Sequence, residues 1–318
     1  MRLLRWVGIV VGSLLGLMII CLGIVYALSQ RRISRHYDVA AHEIRVPTDS
    51  ASLAWGAHVA ETRGCTGCHT ATLAGETFID VPPFARLYTA NLTSGKGGVA
   101  AKYTSTADWE RSIRQGVAPD GRALLFMPSQ NFYSITDQDL GALVSWIRSR
   151  PPVDHEQPAQ SVGPIGRALL LAGKVPLLPA ELIDHQAARP TAPTPGVTVE
   201  YGHYLATTCM GCHGMGLSGG PIAGAPPEMA IPLNITPDTV TGVGKWSREE
   251  FTKAIREGIR PDGTQLKPDM PYQQFARYSD DEVAAIWMYL RTHCRCRCGQ
   301  SAGTDAQGGD HAGGLPCR

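Results

Sequence analysis

The sequence predicts an all-α protein in which one apolar N-terminal helix is followed by two copies of a helical unit. Three observations lead to this prediction. An uncharged apolar stretch runs from Trp6 to Leu28. Short motifs recur along the chain at an offset of 142–144 residues. Apolar residues follow helix-capping residues at helical spacing in both copies. A chain of 318 residues is long enough for about two domains.

The first element is a candidate membrane anchor. At ~1.5 Å of rise per residue, the stretch from Trp6 to Leu28 is long enough to cross a hydrocarbon core of about 30 Å. A cleaved signal peptide has a shorter apolar region of about 7–15 residues. We therefore predict an uncleaved transmembrane anchor at residues 1–30 and a linker at 31–50. The triplet Ala27-Leu28-Ser29 keeps cleavage open as the alternative.

The rest of the chain is a tandem duplication with an intervening segment. We predict one domain at residues 51–153, an interdomain strap at 154–195 and a second domain at 196–293. The strap contains the apolar segment Ile165–Leu178, which is too short and too charged to span a membrane, so we expect it to pack across the two domains. The motifs that match between the copies include Pro82-Pro83 with Pro226-Pro227, Asn91-Leu92-Thr93 with Asn234-Ile235-Thr236, and Met127-Pro128 with Met270-Pro271.

Capping and turn signals place helices within each unit. Ser279–Glu282 is a capping-box signature ahead of an apolar helix, and Thr136–Asp139 is its weaker counterpart in the first copy. A further helix in each copy is expected to stop at Gly116 or Gly258, and the Pro-Asp-Gly that follows is turn chemistry. Two amphipathic segments are also predicted to be helical: Leu53–Thr62 and Val199–Thr207.

A five-residue pattern occurs once in each copy, as Cys65-Thr66-Gly67-Cys68-His69 and Cys209-Met210-Gly211-Cys212-His213. The pattern Cys-x-x-Cys-His is typical of covalent c-type haem attachment. Positions i, i+3 and i+4 share one face of a helical turn, so two thiols and an imidazole meet one edge of the porphyrin. The alternatives are a redox Cys-x-x-Cys or half a zinc site. Because the complete pattern occurs twice, we favour two covalently bound haem c groups over these alternatives.

The sixth iron ligand decides what such a haem can do. Met127 lies 58 residues after His69, and Met270 lies 57 residues after His213. Both methionines precede a proline and follow the same Pro-Asp-Gly turn, which favours ligation over the alternative of two ordinary core methionines. A thioether ligand favours ferrous iron and raises the midpoint potential.

Other repeated groups are candidates for supporting the haems. An axial imidazole needs an acceptor for its second N–H. The backbone carbonyls of Pro82-Pro83 and Pro226-Pro227 are our candidates, with a plain turn as the open alternative. Asn91 and Asn234 look like glycosylation acceptors, but their repetition favours a structural or haem-edge role. Two histidines precede the motifs and are interpreted as helix residues rather than competing ligands: His58 and His203.

Composition narrows the remaining possibilities. The formal net charge of +1 gives no support for a nucleic-acid partner. The segment 294–318 is Cys- and Gly-rich and has no counterpart in the first copy, and we predict a disordered tail there. Cys294, Cys296 and Cys298 leave binding of a soft metal as the alternative.

Each unit resembles a class I cytochrome c domain, with Cys-x-x-Cys-His near its start, a distal Met-Pro and a closing helix. The whole is similar to membrane-anchored dihaem cytochromes that serve as electron-transfer subunits of periplasmic dehydrogenases. The most specific stretch runs from Asn234-Ile235-Thr236-Pro237-Asp238 to Met270-Pro271-Tyr272. The resemblance implies an all-α fold, axial pairs of His69 with Met127 and His213 with Met270, and electron relay without substrate chemistry.

The expected function is transfer of electrons from a periplasmic dehydrogenase subunit to the respiratory chain. The acceptor is left open between a soluble cytochrome, a terminal oxidase and quinone. A dihaem peroxidase and a cytochrome subunit of a terminal oxidase are the alternatives. The arginines after the anchor would place the body inside the cell. Covalent haem attachment of this type, however, resembles a process on the outer face of a bacterial inner membrane, and we give it more weight than the arginine count. We therefore predict a bacterial inner-membrane protein with its haem domains in the periplasm.

Overall fold

The computed structural model describes residues 2–188, 191–226 and 228–292. These residues are mainly helical. Within these ranges ten α-helices occur in this order: α1 (Arg2–Ile33), α2 (Ser50–Thr62), α3 (Cys65–His69), α4 (Thr106–Gln115), α5 (Asp137–Ser149), α6 (Pro164–Leu171), α7 (Val199–His213), α8 (Arg248–Glu257), α9 (Tyr272–Phe275) and α10 (Asp280–Thr292). Three strands are also present: β1 (Thr77–Val81), β2 (Ala85–Tyr88) and β3 (Ser161–Val162).

The described residues form two compact units, each assembled from separate stretches of chain. The first unit consists of the described residues of Met1–Asp49, Cys68–Tyr133 and Val144–Ala187. The second consists of those of Ser50–Gly67, Ser134–Leu143 and Ala188–Arg318. The second unit therefore combines helix α2 of the first sequence copy with the helices of the second copy.

Helix α1 carries the apolar N-terminal stretch. By length and composition it could cross a membrane, a test that a signal sequence near an N-terminus also passes. Its side chains are exposed along almost the whole length, and Ser29 near its end is the buried exception. This exposure is compatible with a helix whose apolar surface contacts lipid.

The predicted helix caps are present. Glu282 accepts a hydrogen bond from the Ser279 N–H at 2.7 Å, and the Ser279 hydroxyl accepts one from the Glu282 N–H at 3.2 Å. Helices α4 and α8 end at Gly116 and Gly258, whose φ angles of 66° and 72° lie in the left-handed region. A glycine adopts this conformation without a Cβ clash, which explains why both helices stop there.

The described residues are mostly helical, but the all-α prediction misses a small antiparallel sheet in the first unit. β1 pairs with β2, and β2 pairs with β3. The segment Thr77–Val81 is rich in β-branched and aromatic residues, and Pro82-Pro83 follows as the turn. The corresponding segment of the second copy, Pro221–Pro226, is dominated by Pro, Gly and Ala and forms no strand.

The strap segment packs into the first unit. Leu170, Leu177 and Leu178 are buried in one apolar cluster with Leu87 of β2 and Val162 of β3. Helix α6 lies against α1. The apolar residues of the strap therefore contribute to the core of the first unit, and packing across the two domains stays a prediction.

Helices α7 and α10 form the centre of the second unit. Their contact is close because Gly202 of α7 has no side chain: a Cβ there would lie 1.9 Å from the Ala285 carbonyl oxygen. The surrounding apolar cluster includes Leu205 and Met210 of α7 and Ile286 of α10. This core directly supports the second Cys-x-x-Cys-His motif, which forms the last turn of α7.

Candidate haem sites

The two Cys-x-x-Cys-His motifs both lie on helical turns, but the preceding chain differs. Cys209 to His213 continues α7 without interruption. Cys65 to His69 forms a separate short helix, because α2 ends at Thr62 and Gly64 adopts a φ of 86°. Thr208 occupies the equivalent place in the second copy and stays helical. A β-branched residue is strongly disfavoured at positive φ, which accounts for the difference.

Both motif histidines have the same hydrogen-bonded geometry. The Nδ1 atom of His69 lies 2.7 Å from the Ala90 carbonyl oxygen, and that of His213 lies 2.7 Å from the Leu233 carbonyl oxygen. A carbonyl oxygen only accepts, so each Nδ1 carries the proton and donates it. The Nε2 lone pair of each imidazole is then available to a metal.

Electrostatics keep the two imidazoles neutral. Burial lowers the pKa of His69 and of His213, and in each case this outweighs the opposing effect of the backbone hydrogen bond. Iron binds the neutral imidazole, so both side chains are in the protonation state that ligation requires.

The backbone after each motif is also duplicated. The Gly75 N–H donates to the His69 carbonyl at 3.0 Å, and the Gly219 N–H donates to the His213 carbonyl at 2.9 Å. Leu73 and Leu217 have positive φ angles of 60° and 55° and are completely buried. Positive φ is rare for leucine. Its presence at both positions shows that the loop conformation is tightly determined by its surroundings.

The repeated asparagines have a structural role. Asn91 and Asn234 are only 1% and 3% exposed, so neither is placed as a surface glycosylation acceptor. Their Oδ1 atoms accept hydrogen bonds from the backbone N–H groups of Thr93 and Thr236 at 2.9 and 2.8 Å. These turns fix the chain immediately after Ala90 and Leu233, the residues whose carbonyls orient the imidazoles.

The prediction that prolines would supply those carbonyls is wrong. Ala90 and Leu233 accept the imidazole N–H groups instead. The Pro83 carbonyl accepts from the Ile165 N–H at 2.8 Å, which ties the turn between β1 and β2 to the strap. Pro226 is described and is not the acceptor, whereas Pro227 lies outside the described residues.

The two candidate methionine ligands occupy equivalent turns. Met127 belongs to the first unit with His69, and Met270 belongs to the second unit with His213. Both are half-buried, and both carbonyls accept a short-range hydrogen bond, from the Ser129 N–H at 2.7 Å and from the Tyr272 N–H at 2.8 Å. Met270 packs against the same apolar cluster as Cys209.

Burial shapes the environment of the motif cysteines. Burial raises the pKa of the Cys209 thiol to about 11, and burial together with nearby Glu76 raises the pKa of the Cys68 thiol. Neutral thiols and a neutral imidazole beside an apolar core suit the large apolar face of a porphyrin rather than a hydrated ion. The residues present therefore fit a c-type haem.

His58 and His203 have other surroundings. The Nε2 atom of His58 lies 2.9 Å from the Glu282 carboxylate within the second unit. The ring of His203 lies 4.9 Å from that of Tyr289. Within the described ranges no group of three or more His, Cys, Asp or Glu side chains could hold a metal ion. The predictions for the tail concern residues 294–318, which lie outside those ranges.

Fold and sites together define a haem-binding electron-transfer protein. The chain belongs to the cytochrome c family, whose description matches residues 53–151 and 199–293. These two segments include both Cys-x-x-Cys-His motifs and both Met-Pro turns.

Several relatives are subunits of dehydrogenases. The chain is 39% identical over 119 residues to the fructose dehydrogenase cytochrome subunit of Gluconobacter japonicus, covering 34% of this chain and 24% of the relative. It is 42% identical over 99 residues to the cytochrome c subunit of the quinone alcohol dehydrogenase of Gluconobacter oxydans, covering 29% and 20%. It is 26% identical over 272 residues to the corresponding subunit of Gluconacetobacter polyoxogenes, covering 77% and 56%. The chain thus spans about half or less of the length of these relatives.

Proposed function

We propose that this protein is a dihaem electron carrier that accepts electrons from a dehydrogenase. One haem would be bonded to Cys65 and Cys68, with His69 and Met127 as axial ligands. The other would be bonded to Cys209 and Cys212, with His213 and Met270 as axial ligands. A haem held in this way supplies a one-electron couple between ferric and ferrous iron.

The observation that carries the proposal is the duplicated orientation of the histidines. In each motif a backbone carbonyl accepts a hydrogen bond from the Nδ1–H of the histidine, which leaves the Nε2 lone pair available to iron. An incidental histidine beside a redox dithiol would not require this arrangement twice. A methionine at the second axial position keeps the coordination unchanged during electron exchange, which suits a carrier.

The partners follow from the relatives. Proteins named as cytochrome subunits of fructose and alcohol dehydrogenases support a dehydrogenase as the electron donor. We propose a soluble cytochrome, a terminal oxidase or quinone as the acceptor. We further propose that α1 anchors the protein in a bacterial inner membrane with the haem-bearing units in the periplasm.

Mass spectrometry of the full chain, purified in detergent, tests the cofactor count. We expect the mass of the polypeptide plus two covalent haems. The double variant C209A/C212A should retain one haem. Cys21→Ser is the matched control, because Cys21 is a free cysteine of α1 outside both motifs, and it should retain two. A wild-type mass equal to that of the polypeptide alone would refute the proposal.

Carbon monoxide distinguishes a carrier from an enzyme with an open iron. If both irons have methionine as a sixth ligand, the visible spectrum of the reduced protein should be unchanged by the gas. A spectral change at one haem would favour a dihaem peroxidase. The donor is tested separately, by mixing the oxidised protein with a purified quinone-dependent dehydrogenase and its substrate and following haem reduction.

A further inference from the structure

Arg63 is a buried cation at the second haem motif. Its side chain belongs to the second unit, and the residue is only 7% exposed. The Nη1 atom donates to the Tyr204 carbonyl at 3.2 Å, to the Thr207 hydroxyl at 3.0 Å and to the Thr208 hydroxyl at 2.8 Å. Thr208 directly precedes Cys209. The guanidinium is therefore fixed at the last turns of α7, where the second motif begins.

The surrounding chain holds this side chain in place. The guanidinium carbon lies 4.5 Å from the centre of the Tyr204 ring, which gives a cation–π contact. The Thr62 carbonyl accepts a hydrogen bond from the Tyr278 hydroxyl at 3.4 Å, and Gly64 turns the chain at positive φ. Arg63 lies between these two fixed residues, so its backbone is constrained as well.

Arg63 has one carboxylate acting on it and one unused hydrogen-bond donor within the described residues. Asp139 is the carboxylate coupled to it through Tyr204, whose hydroxyl donates to Asp139. Asp139 also accepts from the Trp55 indole N–H at 2.7 Å. The Nη2 atom of Arg63 is a buried donor without a hydrogen-bond partner in the described part of the chain. A buried guanidinium with an unused donor is costly unless another group benefits from its charge.

The field of Arg63 reaches the second motif. Arg63 acts to lower the pKa of the Cys209 thiol, against the larger effect of burial. The repeat itself offers no second cation, since Thr207 is the residue equivalent to Arg63. The two motifs thus experience different electrostatic fields.

We propose that Arg63 raises the reduction potential of the haem bonded to Cys209 and Cys212, an inference that rests on the proposed function. One electron converts ferric to ferrous iron, and no bond to the protein forms or breaks. The iron–porphyrin unit loses one positive charge in this step. A buried cation beside it disfavours the ferric form and leaves the ferrous form unaffected to first order. Arg63 is thus a residue that sets the potential, not a ligand.

A potentiometric titration of the full-length dihaem protein tests this role. In Arg63→Gln we expect the midpoint of the second haem to fall by about 59 mV or more, equivalent to roughly a tenfold change in its reduction equilibrium constant. The midpoint of the first haem should change much less. Arg63→Lys keeps the charge and should recover most of the wild-type value. The variant M270H identifies which midpoint belongs to the second haem.

The outcomes separate a tuning role from a merely structural one. If R63Q retains two haems and neither midpoint moves, or only the first one does, the role assigned to Arg63 is wrong while the carrier proposal stands. If the wild-type protein contains no covalent haem, the proposed function itself fails. If R63Q does not incorporate haem, the variant Asp139→Asn provides the test. Loss of that carboxylate should raise the midpoint of the second haem. An unchanged or lowered midpoint would overturn the inference.

Discussion

Replacing Glu282 by alanine should destabilise the second unit more than replacing its exposed neighbour Asp281 at the start of α10. Glu282 is 5% exposed. Its carboxylate accepts the Ser279 N–H at 2.7 Å and lies 2.9 and 3.0 Å from the His58 Nε2 atom. The Tyr201 hydroxyl is 3.5 Å away, which is too long to count as a strong bond.

The magnitude follows from these two contacts. Loss of a helix cap costs about 1 kcal/mol. Loss of a hydrogen bond to a charged group costs about 1.5–3 kcal/mol. We therefore expect Glu282→Ala to lower the free energy of unfolding by about 3 kcal/mol. Asp281→Ala is the matched control, because Asp281 is its exposed neighbour in the same helical turn. It should cost less than about 1 kcal/mol, through the helix dipole alone.

Urea unfolding of the haem-loaded variants, followed by far-UV circular dichroism, measures the difference. The comparison requires that the urea dependence of the unfolding free energy be equal in both variants. If E282A loses no more stability than D281A, the packing of His58 against α10 is wrong.

The same carboxylate predicts a dependence on pH. Burial alone would raise the pKa of Glu282, but the hydrogen bonds from His58 and from the Ser279 N–H bring it below its ordinary value. A carboxylate with a lowered folded-state pKa stabilises the fold above its unfolded-state pKa of about 4.3. The stability difference between wild type and E282A should therefore be complete near neutral pH. It should shrink as the pH falls through the lower, folded-state pKa.

Two further predictions concern the haem sites. Met127→His and Met270→His should each lower one haem midpoint in a redox titration and leave the other nearly in place, because nitrogen replaces a thioether; two midpoints that ignore both substitutions would contradict the ligand assignment. Gly219→Ala should cost more than about 3 kcal/mol of stability and reduce covalent haem content, because its Cβ would lie 2.3 Å from the Pro232 carbonyl oxygen. Gly263→Ala, at a similar φ of 81° but with open space around it, should cost only about 1 kcal/mol and retain both haems; equal losses in the two glycine variants would show that the loop at Gly219 tolerates a side chain.

Local signals predicted much of the helical fold. The capping pair Ser279 and Glu282 and the stops at Gly116 and Gly258 depend on residues within a few positions of one another. Such short-range chemistry can be read from sequence because the interacting groups are fixed by the helix geometry itself. The tandem repeat strengthened the prediction of the sites further, because each motif occurs in both copies with different surrounding residues.

The remaining features depend on residues that are far apart in the chain. The carbonyls of Ala90 and Leu233 have no side-chain signature, although they directly precede the repeated Asn-x-Thr turns. Arg63 interacts with Thr207 and Thr208 more than 140 residues later. Its one sequence signal is a difference between the copies, because Thr207 lies at the equivalent distance before the second motif. The β1–β2 hairpin was missed because its counterpart in the second copy forms no strand.

Helix α1 is joined to the first unit by two arginine side chains. Arg32 of α1 forms an ion pair with Glu181 and donates to the Leu170 carbonyl at 2.7 Å. Arg167 in turn donates to Ser29 and Gln30 at 3.0 Å. These two arginines connect the C-terminal end of α1 to the rest of the first unit in both directions and restrict rotation of the helix there. Under the proposed anchoring of α1, the first unit would keep a constant height and tilt above the bilayer, and a redox partner would have to place its own cofactor at that level.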